Sequence, residues 1–229
     1  MYSKFSKYKD KIRRDIPSDF LEKTELLSLK SILNKEGIKY NEFKPFEEAE
    51  KTIIYNETLP AITVFKITSH NKITHKDILG SLFSHGLEPS VWGDILITGD
   101  ESYLIILKRM EEYFENFFLT VGKRRVSLEK VLLDEIKNYK YDFEIVNIIT
   151  SSERLDCVLA SICNTSRSII HEKLKKDEIR VNYEIVNKHT YLVKMGDILS
   201  IRKVGKFKYE GVVKSTKKGN SILEFKQYK

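Results

Sequence analysis

The chain has 229 residues, 41% apolar and 32% charged, and a formal net charge of +7. That length and apolar content allow two or three small cores and rule out global disorder. No apolar run reaches the roughly 18 residues of a membrane helix, and the start Met1-Tyr2-Ser3-Lys4-Phe5 lacks a signal-peptide core, so a soluble cytoplasmic chain is expected.

Residues 1–68 read as a first α+β module. Phe20, Leu21, Leu26, Leu27, Leu29, Ile32 and Leu33 recur with helical spacing until Gly37 stops the run. Phe43, Phe46 and two strand-like stretches, Thr52 to Tyr55 and Ala61 to Ile67, follow. The basic start, Lys4 to Arg14, reads as a frayed, solvated tail.

Residues 69–150 are better punctuated. Thr74-His75-Lys76-Asp77 has capping-box spacing, with Asp replacing the usual Glu or Gln. Ile78, Leu79, Leu82 and Phe83 make the stripe of a helix that Gly86 stops. Asp94 to Thr98 and Tyr103 to Leu107 flank Gly99-Asp100-Glu101-Ser102, a hairpin signal. A helix with Met110, Phe114, Phe117 and Phe118, then a strand near Arg125 to Leu128, completes an α-β-β-α-β order. That order suits a sheet packed on helices.

Residues 151–229 contain almost all the positive excess: 17 Lys and Arg against 9 Asp and Glu, or +8, while residues 1–150 hold 23 against 24, or −1. Leu155, Val158, Leu159 and Ile162 give one helical stripe, and Ile169, Ile170 and Leu174 give a second after Asn164-Thr165. Arg167, Lys173 and Lys176 then form a basic helical face. Ile179 and Val181 alternate with Arg180 and Asn182 as in a strand. Polar side chains from helix and strand are expected to converge on one surface. Phe207 and Tyr209 alternate with Lys206 and Lys208, and Lys218-Gly219-Asn220 turns a terminal hairpin whose aromatics pack on the sheet. Such charge asymmetry is the footprint of phosphate binding. A membrane surface fits less well, because no long apolar helix with Trp or Phe accompanies the lysines and no lipidation signal is present.

Catalytic signatures are lacking. There is no phosphate-binding Gly-x-x-x-x-Gly-Lys-Ser/Thr, no dinucleotide Gly-x-Gly-x-x-Gly and no hydrolase Gly-x-Ser-x-Gly. His70, His75, His85, His171 and His189 show no metal-ligand spacing, and Asp77 beside His75 is explained by capping. Cys157 and Cys163, six residues apart on one expected helix, suit neither a disulfide nor a metal.

Two resemblances rest on these residues. Arg154-Leu155-Asp156, Asn164-Thr165-Ser166-Arg167, Ile179-Arg180-Val181-Asn182 and Lys194-Met195-Gly196-Asp197-Ile198 resemble, in order, the RNA-binding domain named after the fourth small-subunit ribosomal protein, the S-four domain. Asp177 and Tyr183 stand where that domain commonly has glycine. Phe46-Glu47-Glu48-Ala49-Glu50-Lys51, Ile73 to Leu82, Gly86-Leu87, Gly93-Asp94-Ile95-Leu96-Ile97, Gly205 to Lys208 and Thr216 to Gly219 resemble the bacterial YlmH family along nearly the whole chain. The resemblance implies an α+β fold of three modules: an N-terminal domain (1–68), a central RNA-recognition-like domain (69–150), and an S-four domain with a hairpin extension (151–229). It also implies association with large ribosomal subunits that carry stalled peptidyl-tRNA.

The resulting expectation is a monomeric, non-catalytic RNA-binding factor without cofactor or metal. Its main partner is large-subunit rRNA, with peptidyl-tRNA as a second candidate. The expected RNA-contacting residues are Arg154, Ser166, Arg167, Lys173, Lys176, Arg180, Asn182, Lys206, Lys208, Lys217 and Lys218. The alternative is an RNA-modifying enzyme or its accessory subunit, of the pseudouridine synthase or methyltransferase type. Arg154-Leu155-Asp156 resembles a synthase triplet only superficially, since no catalytic-domain sequence follows it.

Overall fold

A computed structural model describes residues 2–216 and 219–228. The chain forms two compact units, Met1–Tyr141 and Asp142–Lys229.

The first unit begins with helices α1 (Tyr2–Arg13) and α2 (Lys23–Lys35) and strands β1 (Asn41–Phe43) and β2 (Ile53–Tyr55), the strands paired antiparallel. Phe5, Tyr8 and Ile12 of α1 fall on one helical face and bury against Leu21, Leu29, Leu33 and Ile54. Lys4, Lys9 and Arg13 pair with Glu25 and Glu36. The basic start is therefore a packed helix rather than a frayed tail. Its apolar residues lie too close to charged ones for composition alone to reveal the stripe. Phe20 and Leu21 precede α2 instead of belonging to it, and Leu21 bridges to Thr52.

A second layer follows: β3 (Ile62–Thr68), α3 (His75–Ser84), β4 (Trp92–Thr98), β5 (Glu101–Leu107), a 3-10 turn, α4 (Glu111–Phe117), the hairpin β6 (Thr120–Val121) and β7 (Arg124–Arg125), and β8 (Ser127–Val131). The capping box forms: Thr74 Oγ1 accepts from Asp77 N at 3.3 Å, and the Asp77 carboxylate accepts from Thr74 N at 3.0 Å. The sheet order is β4-β5-β3-β8, all neighbours antiparallel, the split βαβ arrangement. Strand β3 lies inside this sheet, so the expected boundary at residue 68 falls within one sheet, and residues on both sides of it belong to the same compact unit. Phe83 and Phe117 face solvent, while Ile78, Leu82, Phe114 and Phe118 fill the core.

Both faces of this sheet are covered. On one, Phe65, Ile67, Leu104 and Ile106 pack with α3 and α4; on the other, Val64, Leu96, Tyr103 and Ile105 pack with Phe20, Phe46, Ala49, Ile53 and Ile136. Burial on both sides explains why Tyr103 to Leu107 is continuously apolar. Close approach explains Gly93: a Cβ there would stand 2.9 Å from the Phe20 ring and 3.2 Å from Ile105 Cβ. Next to it, the Asp94 carboxylate accepts from the backbone of Glu50 and Lys51 and from the Tyr141 hydroxyl. Lys51 donates to the carbonyls of Pro89 and Trp92 at 2.6 and 2.8 Å and sits over the Trp92 ring. Burial pushes Lys51 down to about 8 against the opposing charge of Asp94, and burial with repulsion from Glu50 pushes Asp94 up to about 6. The Lys51 ammonium is thus spent on internal contacts.

The second unit comprises β9 (Phe143–Thr150), α5 (Leu155–Ile162), α6 (Arg167–Lys175), β10 (Ile179–Val181), β11 (Glu184–Ile185), β12 (Ile198–Ile201), β13 (Gly205–Ser215) and β14 (Ser221–Tyr228). These strands form one antiparallel sheet, β11-β10-β12-β13-β14-β9. Strand β9 pairs along its whole length with β14, so the expected boundary at 150/151 shifts to before Phe143. Leu155, Val158, Leu159, Ile170 and Leu174 from the helices meet Ile179, Val181, Leu199, Phe207, Tyr209, Leu223 and Phe225 from the sheet. Phe207 and Tyr209 pack inward as expected; Ile169 does not, being half exposed on α6. Asp177 and Tyr183 keep the left-handed backbone at φ 56° and 71°, as does Asn182 at 50°, so the turns survive without glycine.

Replacing Gly93 with Ala is expected to destabilise the first unit by about 1 to 3 kcal/mol through overpacking against Phe20. Denaturant unfolding measures this, and an unchanged midpoint would contradict the contact.

Candidate nucleic-acid interface

The buried Asp156 carboxylate organises the helical side of the second unit. Its residue is fully shielded from solvent, whereas the side chains of Arg154 and Arg167 are 35% and 52% exposed. Arg154 ends an extended segment at the start of α5 and donates through Nε to Oδ1 at 3.2 Å and through Nη2 to Oδ2 at 3.0 Å. Arg167 opens α6 and reaches Oδ2 through Nε at 3.1 Å and Nη2 at 2.5 Å. His171, one turn further along α6, places Nε2 3.3 Å from the same oxygen, and its ring lies 4.7 Å from that of His189. The backbone N–H of Cys157 also donates to Asp156. Burial opposes ionisation of Asp156, but hydrogen bonds from Arg154, Arg167 and His171 outweigh it and hold the carboxyl well below the ordinary range. Two guanidiniums are thereby fixed with part of their donor surface facing water.

The other expected contact residues are distributed differently. Ser166 caps α6, its Oγ accepting from Ile169 N. Lys173 is paired with Glu178 at 3.0 Å, and Lys176, at the helix end, is exposed with no ion pair among the described residues. Arg180 is exposed between Ile179 and Val181, both buried in the core shared with α5 and α6. Strand alternation therefore turns Arg180 to the face of the sheet away from the helices. Convergence of Arg167 and Arg180 on one surface is corrected: the sheet separates them. Asn182 is held inside its own unit, donating to Asp197 at 2.7 Å and accepting from Ile198 N at 3.0 Å. Asp197 in turn accepts from the Tyr191 hydroxyl and Lys194 N, so Asn182 braces a turn.

On the outer sheet face, Lys206 lies over the rings of Tyr228 and Tyr183, at 4.3 and 5.5 Å, and Lys208 and Lys226 share Glu210. Lys217 and Lys218 lie outside the described residues. Sequence reasoning missed Asp156, His171, His189 and Lys226. The only signal for the first was its place beside Arg154 in the first turn of a helix, on a position otherwise given to buried residues.

Half-exposed guanidiniums with fixed orientation are matched to phosphate oxygens, which they bind as a fork. Among the described residues no group of three His, Cys, Asp or Glu side chains is placed to hold a metal ion. Neither cysteine is in a disulfide, and burial pushes both thiols up, away from the reactive thiolate.

Replacing Asp156 with Asn leaves two guanidiniums without their carboxylate, with an expected loss of about 2 to 4 kcal/mol at neutral pH. Because the folded-state pKa is depressed, this stabilisation exists above the unfolded value and disappears as pH falls through it toward the folded one. Thermal melts of the wild type and D156N should therefore begin to converge below about pH 4 and draw closer as the pH falls further. A difference that persists undiminished in acid would show that Asp156 stabilises through packing alone.

Residues 60–135 match the family model described as "Putative RNA-binding domain in YlmH". The chain is 28% identical over 223 residues to the "Ribosome-associated protein quality control protein P2" of Bacillus subtilis (strain 168), covering 93% of this chain and 87% of the relative. The solved "Cell division protein ylmH from Streptococcus pneumoniae" is similar in fold, with a TM-score of 0.50 and 21% identity, covering 60% of this chain and 92% of that one. Together with the split βαβ sheet and the motifs spread along the chain, these findings make the chain similar to YlmH proteins along most of its length.

Proposed function

We propose that the chain is a non-catalytic, cytoplasmic RNA-binding factor that associates with the ribosome. Large-subunit rRNA is the main partner and peptidyl-tRNA of stalled complexes the second, in ribosome-associated quality control. The name of the Bacillus subtilis relative supports the setting. The observation that carries the reading is the pair of half-exposed arginines locked on a buried carboxylate, in the region of the chain with a net charge of +8. Preorganised donors lose little side-chain freedom on binding phosphate, which favours this helical layer as the primary grip. The C-terminal unit, with two helices on an antiparallel sheet, is assigned as the S-four domain. Arg180, Lys206 and Lys208 on the outer sheet face, with Lys217 and Lys218, are assigned to secondary contacts, and the chain acts as a monomer.

Co-sedimentation with purified large subunits at stepped salt tests this. Arg167→Gln should weaken association by about 1 to 2 kcal/mol, on the order of tenfold, and lower the salt slope by about one. Arg180→Gln should cost less than about threefold. Equal or reversed effects would assign the primary grip to the sheet face, and salt-independent association would remove phosphate contact from the account.

A further inference from the structure

Compensation of the buried Asp156 carboxylate accounts for Arg154, Arg167 and His171, but not for the ring beside them. His189 sits at the tip of a turn in which Tyr191 N donates to the Lys188 carbonyl at 3.1 Å. That turn is docked on the start of α5. Leu155 N donates to the Tyr191 carbonyl at 2.7 Å and Asp156 N to the His189 carbonyl at 3.2 Å, which satisfies two first-turn N–H groups that have no partner inside the helix. The backbone at His189 is therefore tied to the same residue whose carboxylate fixes the two arginines.

The His189 side chain has no comparable tie. The residue is exposed, and among the described residues its imidazole makes no hydrogen bond and no ion pair. Its ring meets the His171 ring, with centroids 4.7 Å apart and planes inclined by 43°. His171 is itself held in place, because its Nε2 lies 3.3 Å from Asp156 Oδ2, the oxygen that also accepts from Arg167 Nη2. A ring with a fixed support thus stands beside a fixed guanidinium, and both are anchored on one carboxylate.

A guanidinium fork takes a phosphate, and a solvent-facing ring next to it takes a base only when that base is splayed out of its stack. In a continuous A-form duplex the bases stay stacked on one another, and such a ring would have nothing to bind. We propose that His189, supported by His171, is a base-stacking subsite of the helical layer, so that the RNA held there carries an unpaired base beside the phosphate on Arg167. This rests on the reading that the layer grips RNA phosphate, and it adds the class of RNA: a loop, bulge or strand end rather than unbroken duplex.

The test uses the full chain and two fluorescently labelled RNA stem-loops, one with an adenosine loop and one whose loop nucleotides are abasic, so that their phosphates are identical. Association with purified large subunits is measured beside them. The wild type should bind the intact loop roughly five- to tenfold more tightly, at the low end of what stacking on an aromatic side chain contributes because imidazole is a small ring. His189→Ala should abolish that preference, and His189→Phe, which keeps a stacking surface, should restore it. Arg167→Gln should weaken both stem-loops alike and leave the preference in place. Unchanged melts of the His189 variants are the folding control, since the backbone carbonyl stays on Asp156 N. The subsite is overturned, with the phosphate grip left standing, if His189→Ala keeps the preference, if His189→Phe fails to restore it, or if the wild type associates with large subunits without favouring the intact loop. A preference for the intact loop without association with large subunits would keep the subsite and remove the ribosomal setting. If the wild type binds neither subunits nor stem-loops, the functional reading fails and the subsite with it.

Discussion

A carboxylate removed from water must be compensated by charge and hydrogen bonds, and at Asp156 this requirement shapes the helical layer of the C-terminal unit. The six hydrogen bonds that converge on it come from the start of α5, the first two turns of α6 and the α5 backbone. Satisfying one buried acid thus fixes how two helices meet and where two guanidiniums stand. The desolvation cost alone would exclude a buried Asp; the arginines reverse it, and in doing so are held in place with their outer edges hydrated. Stability and the proposed phosphate grip depend on the same contact.

The N-terminal unit works under a different constraint. Its central sheet is buried on both sides, so the chain between Phe20 and Ile53 and the segment after β8 are committed to covering it. Gly93 has no room for a side chain, and Lys51 and Asp94 are kept inside by hydrogen bonds to backbone groups. A sheet closed in this way has lost its open face, and any recognition by the unit moves to helices and hairpins at its margin.

Local signals were the legible part of the sequence. The Thr74–Asp77 capping box, the Gly86 stop, the Leu155–Val158–Leu159 stripe and the hairpin around Gly99 each depend on neighbouring residues, and each is present. What could not be read was which element covers which. Periodicity shows that Ile179 and Val181 share a face opposite Arg180, but not that the helices choose the face of the isoleucine; that choice puts Arg167 and Arg180 on opposite sides. Strand β3 gives the same lesson, since its pairing with β5 and β8 is set by residues some 35 to 65 positions away. Asp156 was hidden because a helix-start Asp beside an Arg ordinarily caps or faces water.

A cryo-EM map of the full chain on purified large ribosomal subunits tests the central claim most directly. The account predicts the α5–α6 layer against rRNA, with Arg154 and Arg167 at hydrogen-bonding distance from phosphate oxygens while still joined to Asp156. A map in which that layer faces solvent, or in which the chain holds the subunit only through ribosomal protein, would contradict it.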